Sequence, residues 1–170
     1  MITAIIETQD NEVGLAHLLA ALVPAATEGI IREVVVIDRG SSDGTLTVAD
    51  VAGCTIIEAG KVAGDPRRRA AEGARGDWLL FLSPMTTLAP GWQRGVVAFI
   101  DHALVTGRAR SRVATFHHGA IHAGWWSRIR SLASRGEGRL IARTAYLAAS
   151  VSSSPASAAS SVSGVRRGAA

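Results

Sequence analysis

The sequence predicts an α/β protein: a mostly parallel sheet with helices on both faces. Apolar, β-branched or aromatic runs at residues 34–37 (Val-Val-Val-Ile) and 78–82 (Trp-Leu-Leu-Phe-Leu) carry no polar alternation, as strands covered on both faces require. Segments with helical spacing stand between the strand-like runs, so the order reads strand, helix, strand, helix four times over. Turn and capping residues follow each strand, which suits a sheet whose ligands bind at the carboxyl ends of its strands.

Taken in order, residues 3–6 form a first short strand. Asp10-Asn11-Glu12 then supplies capping chemistry for a helix with Leu15, Leu18, Leu19 and Leu22 on one face, expected to end near Pro24. The strand at 34–37 runs into Asp38-Arg39-Gly40-Ser41-Ser42-Asp43-Gly44-Thr45, which opens a second helix over 46–52. Residues 54–58 make a third strand, and Asp65-Pro66 offers an N-cap and a first-turn proline for a helix through Ala74. After the strand at 78–82, Pro90-Gly91-Trp92 begins a helix carrying Val96, Val97, Ile100 and Leu104. Beyond residue 110 the pattern weakens to a strand at 113–117, a helix at 125–134, and a strand or helix at 139–149.

The 170 residues amount to one domain, and 48% hydrophobic against 19% charged residues exclude a disordered, collagen-like or disulfide-scaffold chain. Residues 1–149 are expected to form that domain. Residues 150–170, rich in Ser and Ala, hold too few large apolar groups to offset the entropy of ordering and are expected to be a flexible tail. Cys54, the single cysteine, cannot form an internal disulfide and reads as a small core residue in a reducing compartment. With no charged leader and no apolar stretch near the roughly 20 residues that span a bilayer, the expected location is cytoplasmic. The net charge of +4 divides into −5 over residues 1–85 and +9 over 86–170, so the second half offers a basic surface. No RNP, KH, helix-turn-helix or zinc motif accompanies that charge, and nucleic acid is not an expected partner.

The segment from Val34 to Thr45 delivers the carboxylate of Asp38 to a strand tip, followed by small residues at a helix start. Such a carboxylate accepts hydrogen bonds from a nucleobase or a ribose; equally, Ser42 or Asp43 caps the helix while Gly40 and Gly44 turn the chain. At this point the sequence resembles the family-2 inverting glycosyltransferases, whose fold is the Rossmann-like GT-A and whose signature here is V-V-D-D-G-S-T-D-G-T. Asp38, Gly40, Ser41, Asp43, Gly44 and Thr45 match it. Ile5-Ile6-Glu7-Thr8-Gln9-Asp10-Asn11-Glu12 is similar to the family's I-I-P-T-x-N-E-E, and residues 69–82 are similar to N-x-G-x-x-x-A-x-G-D-x-L-L-F-L.

The resemblance implies transfer of a sugar from a nucleotide-sugar donor, a UDP-sugar by preference, to a hydroxyl of a lipid-linked or saccharide acceptor. It implies Thr8 and Asp10 beside the base, Asp38 on uracil or ribose with Gly40 and Ser41 in the same loop, and the loop after Leu82, with Ser83 and Met85, facing the diphosphate. The family normally uses Mg²⁺ or Mn²⁺ held by D-x-D, where this chain has Ser83-Pro84-Met85 followed by Thr86 and Thr87, so no carboxylate remains for a hard cation. Arg67, Arg68 and Arg69 are candidates to replace the metal's charge, Arg69 being counted with the expected nucleotide-sugar-binding residues. They also suit an exposed basic helix face.

A transfer of this kind needs a base, and only Asp101 and Glu137 follow residue 85 among the acids. Residues 135–141 resemble the family's G-D-Q-G-L-x-x-x-R stretch with the acid displaced by one position, which makes Glu137 the candidate. His117, His118 and His122 lack a paired ligand set and are read as surface or hydrogen-bonded histidines rather than metal ligands. Trp125, Trp126, Ile129, Leu132 and Ala133 share one face of a basic segment at 125–135 that suits either core packing or peripheral contact with the inner face of a membrane. The alternative to a metal-independent transferase is a pseudoenzyme that keeps a nucleotide pocket and acts through a partner or membrane contact.

Overall fold

A computed structural model describes residues 1–107, 113–116 and 138–152. Among the described residues six strands form one sheet: β1 (Ile2–Thr8), β2 (Ile31–Asp38), β3 (Thr55–Glu58), β4 (Trp78–Leu82), β5 (Val113–Phe116) and β6 (Gly138–Ala142). Their order across the sheet is β3-β2-β1-β4-β6-β5. The β3-β2-β1-β4 block is parallel, whereas β6 runs antiparallel to both β4 and β5.

Among the described residues five α-helices cover the faces: α1 (Glu12–Thr27), α2 (Thr45–Val51), α3 (Pro66–Gly73), α4 (Trp92–Val105) and α5 (Arg143–Ser152). Ile2, Ala4 and Ile6 of β1 pack with Leu15, Leu18 and Leu22 of α1, Ala49 of α2 and Val96 of α4. Ile5, Val35, Ile37 and Leu79 point the other way, against Ala70 and Ala71 of α3 and residues 145–147 of α5. Strand alternation thus divides the core into two layers, and β1 and β4 are apolar on both sides because both sides are covered. The mostly parallel sheet with helices on both faces is the architecture the sequence predicts.

Local chemistry explains most boundaries. Asn11 caps α1 by accepting the Gly14 N–H at 3.0 Å, and Asp65 caps α3 by accepting the Arg67 N–H at 3.0 Å just before Pro66. Pro24 does not end α1, which continues to Thr27. Proline in the last turn leaves its own carbonyl free to accept the Glu28 N–H at 3.0 Å, and the helix closes one turn later than expected. The ambiguous region at 139–149 is both alternatives in succession, β6 and then α5. The expected helix at 125–134, the histidines at 117, 118 and 122, Glu137 and residues 153–170 lie outside the described residues. Among the described residues, no helix is long and apolar enough to cross a membrane.

Candidate functional site

The parallel register sets the site. Thr8 lies opposite Asp38, and Ile6 opposite Leu82, so the chain leaves β1, β2 and β4 at one edge of the sheet. Ligands of open parallel sheets bind at that edge, where strand ends and helix starts converge.

The loop after β2 is held by its own carboxylate. Asp38 is only 2% exposed; it accepts the Gly40 N–H at 3.0 Å, the Ser41 N–H at 3.1 Å, and the Ser41 hydroxyl. Gly40 has φ +96, a backbone conformation that glycine takes at little cost and that lets the chain fold back over Asp38. Asp38 therefore shapes the loop from within; Ser41 is the residue through which it reaches the neighbouring strand's loop. Ser41 Oγ accepts the Asp10 N–H at 2.9 Å, while Asp10 Oδ1 accepts the N–H and hydroxyl of Ser42 at 2.7 and 3.0 Å. Asp10 itself has φ +45, a conformation uncommon outside glycine, asparagine and aspartate.

A second set of bonds ties α1 and α2 together at their starts. Thr45 Oγ1 donates to Asp43 and accepts the Asn11 N–H at 3.0 Å, and Asp43 Oδ2 accepts the Glu12 N–H at 3.2 Å. The Thr45 hydroxyl is the main reason that the Asp43 carboxyl is held below its ordinary value, helped by the Thr45 and Glu12 amides. Thr8 is the exception in this satisfied network. It is 4% exposed, and its Oγ1 is buried without a hydrogen-bond partner.

The loop after β4 is a self-bonded turn. Thr86 N–H donates to the Ser83 carbonyl at 2.8 Å, Ser83 N–H to Thr86 Oγ1 at 3.1 Å, and Met85 N–H to Ser83 Oγ at 3.3 Å. Met85 is exposed, and its sulfur receives the Asn11 amide at 3.5 Å, which brings the third loop onto the first. A hydroxyl and a thioether do not fit a hard cation, which takes carboxylate and carbonyl oxygens. In the adjoining loops the carboxylates of Asp38, Asp10 and Asp43 are engaged with loop amides and hydroxyls. Among the described residues, no group of three His, Cys, Asp or Glu is arranged to hold a metal ion. The described residues of these loops do not fit Mg²⁺ or Mn²⁺.

On the opposite face of the sheet, at the same edge, Glu7 gathers two arginines. Arg39, from the loop after β2, donates to Oε1 through Nε and a terminal nitrogen; Arg67, in the first turn of α3, donates to Oε2 through Nε at 2.6 Å and through a terminal nitrogen. Tyr146 of α5 packs on Phe81 with ring centroids 5.0 Å apart; burial, followed by Asp65, pushes its phenol pKa up, while Arg67 and Arg139 act the other way. Of the three candidate arginines, then, Arg67 is the one paired with Glu7. Arg68 pairs with Glu72 one turn along the helix, and Arg69 is exposed.

The structure brings Thr8, Asp10, Asp38, Gly40, Ser41, Ser83 and Met85 to one edge and shows Asn11, Ser42, Thr45, Glu7 and Arg39 as further members. Asn11 and Thr45 sit within motifs the sequence displays. Glu7 and Arg39 are 32 residues apart and Glu7 and Arg67 are 60 apart, so only the alternation of β1, which sends Glu7 to the α3 face, hints at their meeting.

No protein-family model matches the chain, and no curated protein matches it. Solved structures with a similar fold include glucosyl-3-phosphoglycerate synthase from Mycobacterium tuberculosis in complex with Mn²⁺, UDP and glucosyl-3-phosphoglycerate, at 18% identity and TM-score 0.49 over 68% of this chain and 42% of that one. They also include a mycobacterial protein at 21% identity and TM-score 0.50, covering 68% of this chain and 39% of that one. A third is mannosyl-3-phosphoglycerate synthase from Rubrobacter xylanophilus, at 21% identity and TM-score 0.46 over 51% of this chain and 32% of that one. The chain spans well under half the length of each. The fold class is α/β, a mostly parallel sheet with helices on both faces, and at these identities the likeness to solved structures is one of fold alone.

Proposed function

We propose that the chain binds a nucleotide sugar, a UDP-sugar by preference, at the edge formed by the loops after β1, β2 and β4, and transfers its sugar to a hydroxyl acceptor without a divalent cation. The observation that carries this reading is the joining of the loops after β1 and β2, whose sequences resemble the family-2 motifs, with the loop that follows the third resembling segment: Asp10 clasps Ser41 and Ser42, and Asn11 reaches Met85. The buried, unpartnered Thr8 hydroxyl stands at the end of β1, opposite Asp38 in register, where a bound nucleoside would offer it a partner after a small local rearrangement.

In the proposed inverting reaction an acceptor oxygen attacks the anomeric carbon from the face opposite the diphosphate. The C–O bond to the phosphate breaks, its electron pair leaves with UDP, and the acceptor's proton passes to a base. Glu137 is proposed as that base, and Asp10 and Asp38 as the residues that fix the nucleoside loop. The location proposed is cytoplasmic, with segment 125–135 as a peripheral contact on the inner membrane face. The test is incubation of the chain with radiolabelled UDP-sugars and saccharide or lipid-linked acceptors in chelator. Labelled product that is lost in Glu137→Gln supports the reading; UDP binding with no product under any condition contradicts transfer.

That second outcome is the alternative, a pseudoenzyme that retains nucleotide binding and acts through a partner. The lack of any carboxylate at 83–87 favours it specifically, because the leaving diphosphate then lacks the neutralising cation that supplies several kcal/mol in metal-assisted transfer.

A further inference from the structure

Two guanidinium groups from separate elements converge on one point at the ligand-binding edge of the sheet, and the point is filled by a carboxylate of the same chain. Glu7 is 17% exposed at its side chain, while Arg39 and Arg67 are about half exposed, at 54% and 53%. Each arginine directs its Nε and one terminal nitrogen to a single Glu7 oxygen, which uses that edge of its planar fork and leaves the remaining N–H donors toward solvent. Two such forks aimed at one centre are the arrangement that binds phosphate oxygens, since guanidinium matches phosphate geometry bidentately and stays charged at any working pH.

We infer that Arg39 and Arg67 form an oxyanion site for a phosphate or diphosphate group and that Glu7 is its resident counter-anion, displaced when the phosphate binds. The inference concerns phosphate oxygens only and does not require that sugar be transferred. A phosphate group carries more negative charge and more acceptor oxygens than one carboxylate, so it competes for both forks at once. Glu7 keeps two cations from facing each other uncompensated in the empty site, and it sets a threshold that only a multivalent anion passes. The neighbouring turn at 83–86 holds no carboxylate that would repel the incoming anion. At Tyr146 on the same face the charges of Arg67 and Arg139 are felt together with the opposing charge of Asp65, whose carboxylate is held by the Arg67 N–H at the start of α3.

The experiment is calorimetric titration of the full chain in chelator with inorganic pyrophosphate, with UDP and with uridine, for the wild type, Glu7→Gln, Arg67→Gln and the double variant. Glu7→Gln keeps the side chain's shape and removes its charge, and it is expected to bind pyrophosphate about ten-fold more tightly, the equivalent of one charge-assisted hydrogen bond regained. The double variant is expected to lose that gain. An equal gain for UDP with none for uridine identifies the anion as the nucleotide's diphosphate; a gain for pyrophosphate alone identifies a free phosphate group. Unchanged or weaker pyrophosphate binding in Glu7→Gln, or a gain that survives Arg67→Gln, overturns the assignment. Should the variants fail to fold, the wild type still decides: the ¹⁵Nε resonances of Arg39 and Arg67 must shift on saturation with pyrophosphate, and their constancy overturns the proposal.

Discussion

A buried hydroxyl with no partner is costly, and Thr8 Oγ1 is the one such side-chain atom among the described residues. Replacing Thr8 with valine keeps the β-branch and removes the orphan group, so unfolding free energy measured in urea should rise by about 1 kcal/mol. The same variant should bind UDP more weakly, because the partner that a nucleoside would supply then has nothing to bond. Loss of stability instead would mean that the hydroxyl is satisfied within the protein. Asp43 gives a pH-dependent counterpart. Its folded-state carboxyl is held below the ordinary 3.8, so its contribution to stability is complete above that value and is lost as pH falls through the lower folded value. Urea midpoints of Asp43→Asn should therefore fall less steeply than those of the wild type between about pH 5 and pH 2. Parallel curves would contradict the assigned role of Thr45 and the α1 amide.

At the level of elements, stability resides in the central parallel strands. Leu80 of β4 is 1% exposed between β1 and β6, whereas Leu104 of α4 is 60% exposed. Leu80→Ala should cost about 2–5 kcal/mol and Leu104→Ala within about 0.5 kcal/mol, read from thermal or urea unfolding. These strands are also the most legible parts of the sequence, because a strand buried on both faces must be apolar without interruption; the apolar run at 78–82 coincides with β4. The loops were legible in part. Gly40, Ser41 and Asp43 announce a turn into a helix, but Asp38 reads as an outward ligand from sequence and is an inward clamp in the structure. The difference lies in Gly40, whose positive φ folds the chain back so that the Gly40 and Ser41 amides reach the carboxylate first. Pro24 misleads because proline withdraws only its own N–H from the helix, while its carbonyl still accepts the Glu28 N–H and α1 runs on to Thr27. The Glu7 cluster was illegible, since ion pairs spanning 32 and 60 residues leave no local pattern.

Across the whole molecule, the acidic half, residues 1–85, builds the three joined loops and the basic half, residues 86–170, adds the antiparallel strands and α5. The acids of the first half are mostly spent inside it: Glu7 on Arg39 and Arg67, Glu33 on Thr3 and the Arg75 amide, Asp10, Asp38 and Asp43 on loop amides. An edge with its carboxylates so engaged and its arginines half exposed is suited to an anion and unsuited to a cation. The central claim is that this edge is a nucleotide site that works without metal. Its most direct test is calorimetry of the chain with UDP in chelator and again with Mn²⁺, beside Asp38→Ala, which frees the Gly40 and Ser41 amides and undoes the loop. The account predicts UDP binding of equal strength with and without Mn²⁺, abolished in Asp38→Ala. Binding that appears only with Mn²⁺, or that survives in Asp38→Ala, would contradict it.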